Sequence, residues 1–236
     1  MTLLIREPVV APMTTVKIPL KAVLFDLDGT LVDSAPDLAA ATNWLRGEHG
    51  LEALPYEVLR PMVGAGARGM LGVAFGIGPD DARFETLRDR FLARYAEVLL
   101  ERTAVFREMA VLLQAIEARR LPWGVVTNKA SRFTEPLLRG LGLDSRAAVV
   151  ICGDTTPHAK PHPEPLLEAA RRLGVEPGDC AYVGDDVRDV QAGKAAGMAT
   201  LVAGWGYLGQ GGAIEQWGAD AVLQSPAELL NWVGMA

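Results

Sequence analysis

Short apolar runs alternate along most of this chain with stretches whose hydrophobic residues recur every three to four positions. Ala22-Val23-Leu24-Phe25 is unbroken, as expected of a parallel strand buried on both faces. Comparable runs over 123–127, 147–151, 180–183, 199–203 and 221–223 read as further strands. Between them the helical spacing returns over 131–141, 163–173 and 186–196, with a last helix over 226–233. A helix over 106–119 places Met109, Leu112, Leu113 and Ile116 at i, i+3, i+4 and i+7. Strands and helices in strict alternation predict an α/β fold: a Rossmann-like parallel sheet with helices on both faces.

One interval breaks the rhythm. A crossover between neighbouring parallel strands needs only about a dozen residues, yet the whole of 37–102 separates the first strand from the helix at 106. Leu38, Ala41, Thr42 and Leu45 share a helical face, as do Phe84, Leu87, Phe91, Tyr95 and Val98 in a helix over 80–100. This segment makes sense as an all-helical cap inserted after the first strand, with its two linkers near 34–37 and 101–105. The α/β core then comprises 20–36 and 103–236. Residues 1–19 contain Pro8, Pro12 and Pro19 and no clear periodicity, so they read as an N-terminal arm, with Met13 as a possible natural start.

Composition excludes several classes. At 236 residues, 50% hydrophobic and 22% charged, the chain has the make-up of an ordinary globular protein. A net charge of −6 lacks the basic footprint of a nucleic-acid binder. No apolar run reaches membrane-spanning length, and Arg6, Glu7 and Pro8 interrupt any secretory signal, so a cytoplasmic location is expected. Cys152 and Cys180 read as buried free thiols. The oligomeric state, monomer or homodimer, is left open.

The candidate chemistry lies at the strand ends. The first strand stops on Asp26, and Asp28 follows two positions later beside Gly29 and Thr30. Asp-Gly pairs also make solvated turns. Carboxylates at the C-terminal end of a buried parallel strand, however, lie where open α/β sheets bind ligands. Two anions this close call for a cation, and a hard divalent ion such as Mg²⁺ suits oxygen ligands. Gly29 lets the backbone approach a ligand without a Cβ in the way, and Thr30 is grouped with it as a substrate contact. The next strand ends in Thr127-Asn128-Lys129, where the Thr127 hydroxyl and the Asn128 N–H can hold phosphate oxygens. Lys160, followed by Pro161 in a stiffened loop, offers a fixed ammonium; His158 and His162, with no further His or Cys nearby, are not read as a metal site. The fourth strand ends Gly184-Asp185-Asp186. Asp185 suits a third metal ligand, Asp186 the helix dipole, and Asp189 a supporting contact to Lys160 or a metal-bound water.

Asp26-x-Asp28, Thr127, Lys160 and Gly184-Asp185, in this order, resemble the four motifs of the haloacid dehalogenase-like hydrolases, and at group level the phosphoglycolate phosphatases. Trp123–Lys129 with Arg132-Phe133-Thr134-Glu135-Pro136 is also similar to the N-acetylmuramic acid 6-phosphate phosphatases. The resemblance implies an Mg²⁺-dependent phosphomonoesterase acting on a small phosphorylated metabolite. Asp26 would be the nucleophile and Asp28 the general acid and base. Metal would be held by the carboxylates of Asp26 and Asp185 and the backbone carbonyl of Asp28. The Gly64-Ala65-Gly66-Ala67-Arg68 stretch resembles the substrate-reading cap loop of that group, and Arg68 is expected to grip a substrate carboxylate. A metal-free dehalogenase would not retain Asp28, and 37–102 holds no lysine for the Schiff base of a phosphonate hydrolase. A sugar phosphomutase and a non-catalytic phosphate-accepting module stay as alternatives.

Overall fold

The computed structural model describes residues 20–209 and 211–233; the N-terminal arm and Met13 lie outside them. The first strand, β1 (Ala22–Phe25), is wholly buried. Its residues alternate between two cores, as the two-residue strand period requires. Val23 and Phe25 pack with Trp123, Val125, Ala181 and Val183, whereas Ala22 and Leu24 pack with Val126, Ile151, Cys180 and Tyr182.

After β1 the chain forms a two-residue strand, β2 (Val32–Asp33), and then helix α1 (Ala35–Glu48). Helices α2 (Tyr56–Leu59), α3 (Gly66–Phe75) and α4 (Phe84–Val98) follow, with a 3₁₀ segment over Arg60–Ala65 between the first two. A second two-residue strand, β3 (Ala104–Val105), pairs antiparallel with β2. Every regular element between β2 and β3 is therefore helical. The paired strands were not foreseen because two residues are too few to show alternation. The stretch 64–68, expected to be a flexible loop, instead ends the 3₁₀ segment and opens α3, which buries Met70, Leu71 and Ala74. Its glycines hid this short apolar face.

The remainder alternates as expected as far as β7: α5 (Arg107–Ala118), β4 (Trp123–Val126), α6 (Ser131–Gly140), β5 (Val149–Ile151), α7 (Glu164–Leu173), β6 (Cys180–Gly184), α8 (Val187–Ala195) and β7 (Ala199–Ala203); then β8 (Ala221–Leu223) follows a 3₁₀ turn over Ile214–Gln216, and α9 (Glu228–Trp232) ends the fold. The sheet runs β5-β4-β1-β6-β7-β8 and every neighbouring pair is parallel. Strand order reverses at β1, so the C-terminal ends of β4 and β6 flank its own; this is the crevice where open α/β sheets receive ligands. No helix among the described residues is long and apolar enough to cross a membrane.

The two chain crossings between the sheet and the helical insertion are tied at one point. Asp37 is fully buried, and its carboxylate accepts the backbone N–H groups of Arg102 and Thr103 at 2.8–3.0 Å and the Thr103 hydroxyl at 2.7 Å. A buried carboxylate is tolerated when donors surround it in this way.

Candidate active site

Asp26 directly follows β1, and its backbone N–H donates to the Val183 carbonyl of β6 at 2.9 Å, so the last sheet hydrogen bond aims the side chain into the crevice. Lys160 comes in from the loop after β5 and is almost wholly buried. Its Nζ lies 2.9 Å from Asp26 Oδ1 and 2.7 Å from Asp189 Oδ1, and it donates to the Tyr182 hydroxyl and the Val126 carbonyl. Burial alone would lower the basicity of this ammonium, but Asp189 and Asp26 outweigh it and hold the pKa above the ordinary lysine value. The Lys160 backbone is fixed by the Asn128 side chain, which accepts its N–H and donates to its carbonyl, both at 2.9 Å.

Acid residues crowd this point. Carboxylate oxygens of Asp26, Asp185 and Asp189 all lie within 4.8 Å of one another. Burial pushes Asp26 up to about 6, with Lys160 opposing and Asp189 and Asp28 adding to the rise. Asp185 is raised well above the carboxylate range by burial first, then by Asp26 and Asp189. Three carboxylates face one ammonium, and a hard divalent cation would relieve that excess. The donor geometry agrees. Asp26 Oδ1 is buried, and among the described residues its one partner is the Lys160 ammonium at 2.9 Å, which leaves it able to take a cation.

Asp189 is less available. Its Oδ1 also accepts from Tyr182, and its Oδ2 accepts the Asp186 N–H at 3.0 Å, closing a capping box at the start of α8. Asp189 thus supports Lys160, and Asp186 serves as the helix N-cap.

Gly29 and Thr30, expected to touch substrate, instead back Asp185. The Thr30 hydroxyl donates to Asp185 Oδ1 at 3.1 Å, and Thr30 is fully buried. Gly29 has φ +83°, and a Cβ there would meet Asp185 Oδ2 at 2.2 Å. The opposite side of Asp185 is held by Tyr207, whose N–H donates to Oδ2 at 2.7 Å. The Tyr207 hydroxyl accepts the N–H groups of Ser34 and Ala35 and donates to Asp33, so one side chain joins this acid's support to the linker before α1. Nothing in the sequence pointed to Tyr207.

Asp28 stands apart from the acidic cluster. Its carboxylate accepts from the Ser34 hydroxyl and from Lys129 Nζ at 3.0 and 3.1 Å. Lys129 also lies 4.7 Å from the centre of the Tyr95 ring of α4. Its pKa is raised, because Asp28 and Tyr95 outweigh the effect of burial. Lys129 closes the Thr127-Asn128-Lys129 tip and had been given no role.

Asp26, Asp28, Thr127, Asn128, Lys160 and Asp185 all line one cavity of about 330 Å³. Its roof is the insertion: Leu38, Val63, residues 64–67, Phe91 and Leu92. Arg188 of α8 pairs with Asp186 and donates to the Gly64 carbonyl, joining sheet to roof. Arg68 does not line the cavity; it is exposed on the first turn of α3. His158 and His162 are exposed on the Lys160 loop beside Glu164.

A family model for haloacid dehalogenase-like hydrolases matches residues 20–197. The chain belongs to this family. It is 43% identical over 212 residues to an N-acetylmuramic acid 6-phosphate phosphatase of Pseudomonas aeruginosa, spanning 90% of this chain and 94% of the other. It is 46% identical over 210 residues to a phosphoglycolate phosphatase of Xanthomonas campestris pv. campestris, spanning 89% and 94%. The fold matches the crystal structure of a predicted phosphoglycolate phosphatase from Haemophilus somnus with a TM-score of 0.79, at 28% identity and covering 93% of this chain and 98% of that one. This hydrolase therefore stands among phosphatases of the same type, and its cluster of Asp26, Asp185 and Asp189 offers the oxygen donors that a divalent cation takes.

Proposed function

We propose that the chain is an Mg²⁺-dependent phosphomonoesterase whose first substrate is 2-phosphoglycolate. The observation that carries the chemistry is the meeting of Asp26 with Lys160, Asp185 and Asp189 on a cavity wall. The Asp26 and Asp185 carboxylates and the Asp28 carbonyl would hold Mg²⁺. When bound, the ion offsets the crowded negative charge and polarises the oxygens of the phosphoryl group.

Asp26 forms an O–P bond in line as the bond to the leaving alkoxide breaks, giving an aspartyl-phosphate. Asp28 gives its proton to that alkoxide. It then takes a proton from the water that attacks phosphorus, and the Asp26–phosphorus bond breaks to release phosphate. Lys160, the Thr127 hydroxyl and the Asn128 N–H hold the phosphoryl oxygens throughout. The partner is thus a small phosphorylated metabolite.

Phosphoglycolate is supported by the 46% identical relatives of that name. A second reading, N-acetylmuramic acid 6-phosphate, is favoured by the 43% identical relatives and by the breadth and apolar roof of the cavity. Phosphate release from both compounds and from hexose phosphates, with Mg²⁺ and with excess chelator, tests the proposal. Turnover is expected only with metal and should fall by several orders of magnitude in Asp26→Asn. Full activity in chelator would remove the metal; a tenth of the wild-type rate in Asp26→Asn would remove the covalent route.

A further inference from the structure

Four cations line the cavity: Lys129, Arg132, Lys160 and Arg188. Three are already committed to acids. Lys129 holds Asp28, Lys160 lies between Asp26 and Asp189, and Arg188 grips both oxygens of Asp186 at 2.7 and 3.0 Å. Arg132 differs. Among the described residues it has neither an ion-pair partner nor a hydrogen bond, and its guanidinium lies over the Phe133 ring at 4.7 Å. The neighbouring acid Asp154 is engaged by Ser131, through the N–H at 2.9 Å and the hydroxyl at 2.8 Å.

Helix stability does not explain this arginine. It occupies the first turn of α6, where a cation opposes the helix dipole. Arg132 is exposed, as Arg68 is, but it lines the cavity, and Phe133 beneath it is buried against Tyr95 of α4, ring centroids 5.6 Å apart, so the guanidinium rests on a fixed ring at the cavity's open side. A solitary planar guanidinium matches a carboxylate through two parallel hydrogen bonds, whereas a second phosphate dianion would call for more donors than this wall supplies.

We infer that Arg132, not Arg68, binds the carboxylate of the substrate, and that this enzyme selects phosphate monoesters carrying a carboxylate away from the phosphoryl group. The inference rests on the phosphatase reading above and names the substrate class of the same site.

The test compares wild type, Arg132→Ala, Arg132→Lys and Arg68→Ala on matched substrates. Phosphoglycolate and N-acetylmuramic acid 6-phosphate carry a carboxylate; p-nitrophenyl phosphate and N-acetylglucosamine 6-phosphate do not. In Arg132→Ala, KM for the carboxylated pair should rise by about 10- to 100-fold, the span of one charged hydrogen-bonding contact. The other pair should stay within about twofold, lysine should restore part of the loss, and Arg68→Ala should resemble wild type. The two carboxylated compounds separately report a short and a bulky body. Equal losses on all four substrates, or no loss on any, overturn the inference. So does a wild type that hydrolyses the uncarboxylated pair as well as the carboxylated one, and in each case the phosphatase reading survives. Absence of all turnover, p-nitrophenyl phosphate included, defeats that reading itself and the inference with it.

Discussion

The contact between Lys160 and Asp189 should hold a large share of the site's local stability. Both side chains are 3% exposed and their charged atoms lie 2.7 Å apart. At an effective dielectric of about 20, the attraction at that distance is roughly 6 kcal/mol. Desolvation takes back several kcal/mol for each buried ion, so the pair's net worth is far smaller. Deleting one partner is a different matter: without Asp189 the buried Lys160 keeps only Asp26 at 2.9 Å, and without Lys160 the buried Asp189 has no cation at all, a loss of about 3–5 kcal/mol. Asp189→Asn keeps the shape but removes the charge, and its amide either loses the Asp186 N–H or turns a donor toward Lys160. We expect a loss of about 3 kcal/mol, which for a chain of this size lowers Tm by roughly 6–12 °C. Lys160→Met should cost at least as much, since it strands both Asp26 and Asp189. The double variant should be less damaging than the sum by about 2 kcal/mol, because the second change removes a charge already left alone. Thermal and urea unfolding of all four proteins in chelator measure this cycle. Single losses under about 1 kcal/mol, or strict additivity, would refute the account of Lys160 as the contact that organises the site.

Two further outcomes follow from the geometry around Asp185 and Asp26. Gly29→Ala should destabilise by about 1–2 kcal/mol from its positive φ alone. It should also weaken Mg²⁺ binding, because the new methyl must push Asp185 Oδ2 aside; Gly47→Ala in α1, with nothing within 4 Å, should instead stabilise by about 0.5–1 kcal/mol. Unfolding curves and calorimetric Mg²⁺ titration read both effects. Burial pushes Asp26 up to about 6 and Asp185 well above the carboxylate range, and a protonated carboxyl is a poor ligand. Each proton held by these carboxyls must be displaced, so Mg²⁺ affinity should fall as pH drops from 7 to 5, by up to about tenfold per unit for each proton; a titration showing equal affinity at pH 5 and pH 7 would contradict the assignment.

The parts of this molecule legible in its sequence share one property: their signal is local. A strand buried on both faces reads as an unbroken apolar run, and the residue that ends it is fixed by adjacency alone, so Asp26, Thr127 and Asp185 could be placed at three strand tips from the chain itself. The long interval before α5 likewise showed as a helical insertion. What stayed hidden are side chains whose role is set by a partner far along the chain. Lys129 meets Asp28 across 101 positions, Tyr207 reaches Ser34 across 173, and Arg188 reaches Gly64 across 124. Each reads locally as an ordinary basic or aromatic residue. Arg68 and Arg132 make the same point from opposite directions. The glycines around Arg68 suggested a mobile reader, but Met70, Leu71 and Ala74 bury one face of that stretch and leave Arg68 on the outside of a helix. Arg132 looks like a surface residue following a strand tip, and only the closure of α4 over α6 makes it part of the cavity wall. Under the proposed reaction, the chemistry is therefore carried by strand ends that the sequence announces. On the same reading, substrate choice rests on the cavity roof, and Asp37, Tyr207, Lys129 and Arg188 tie the insertion and its linkers to segments distant along the chain.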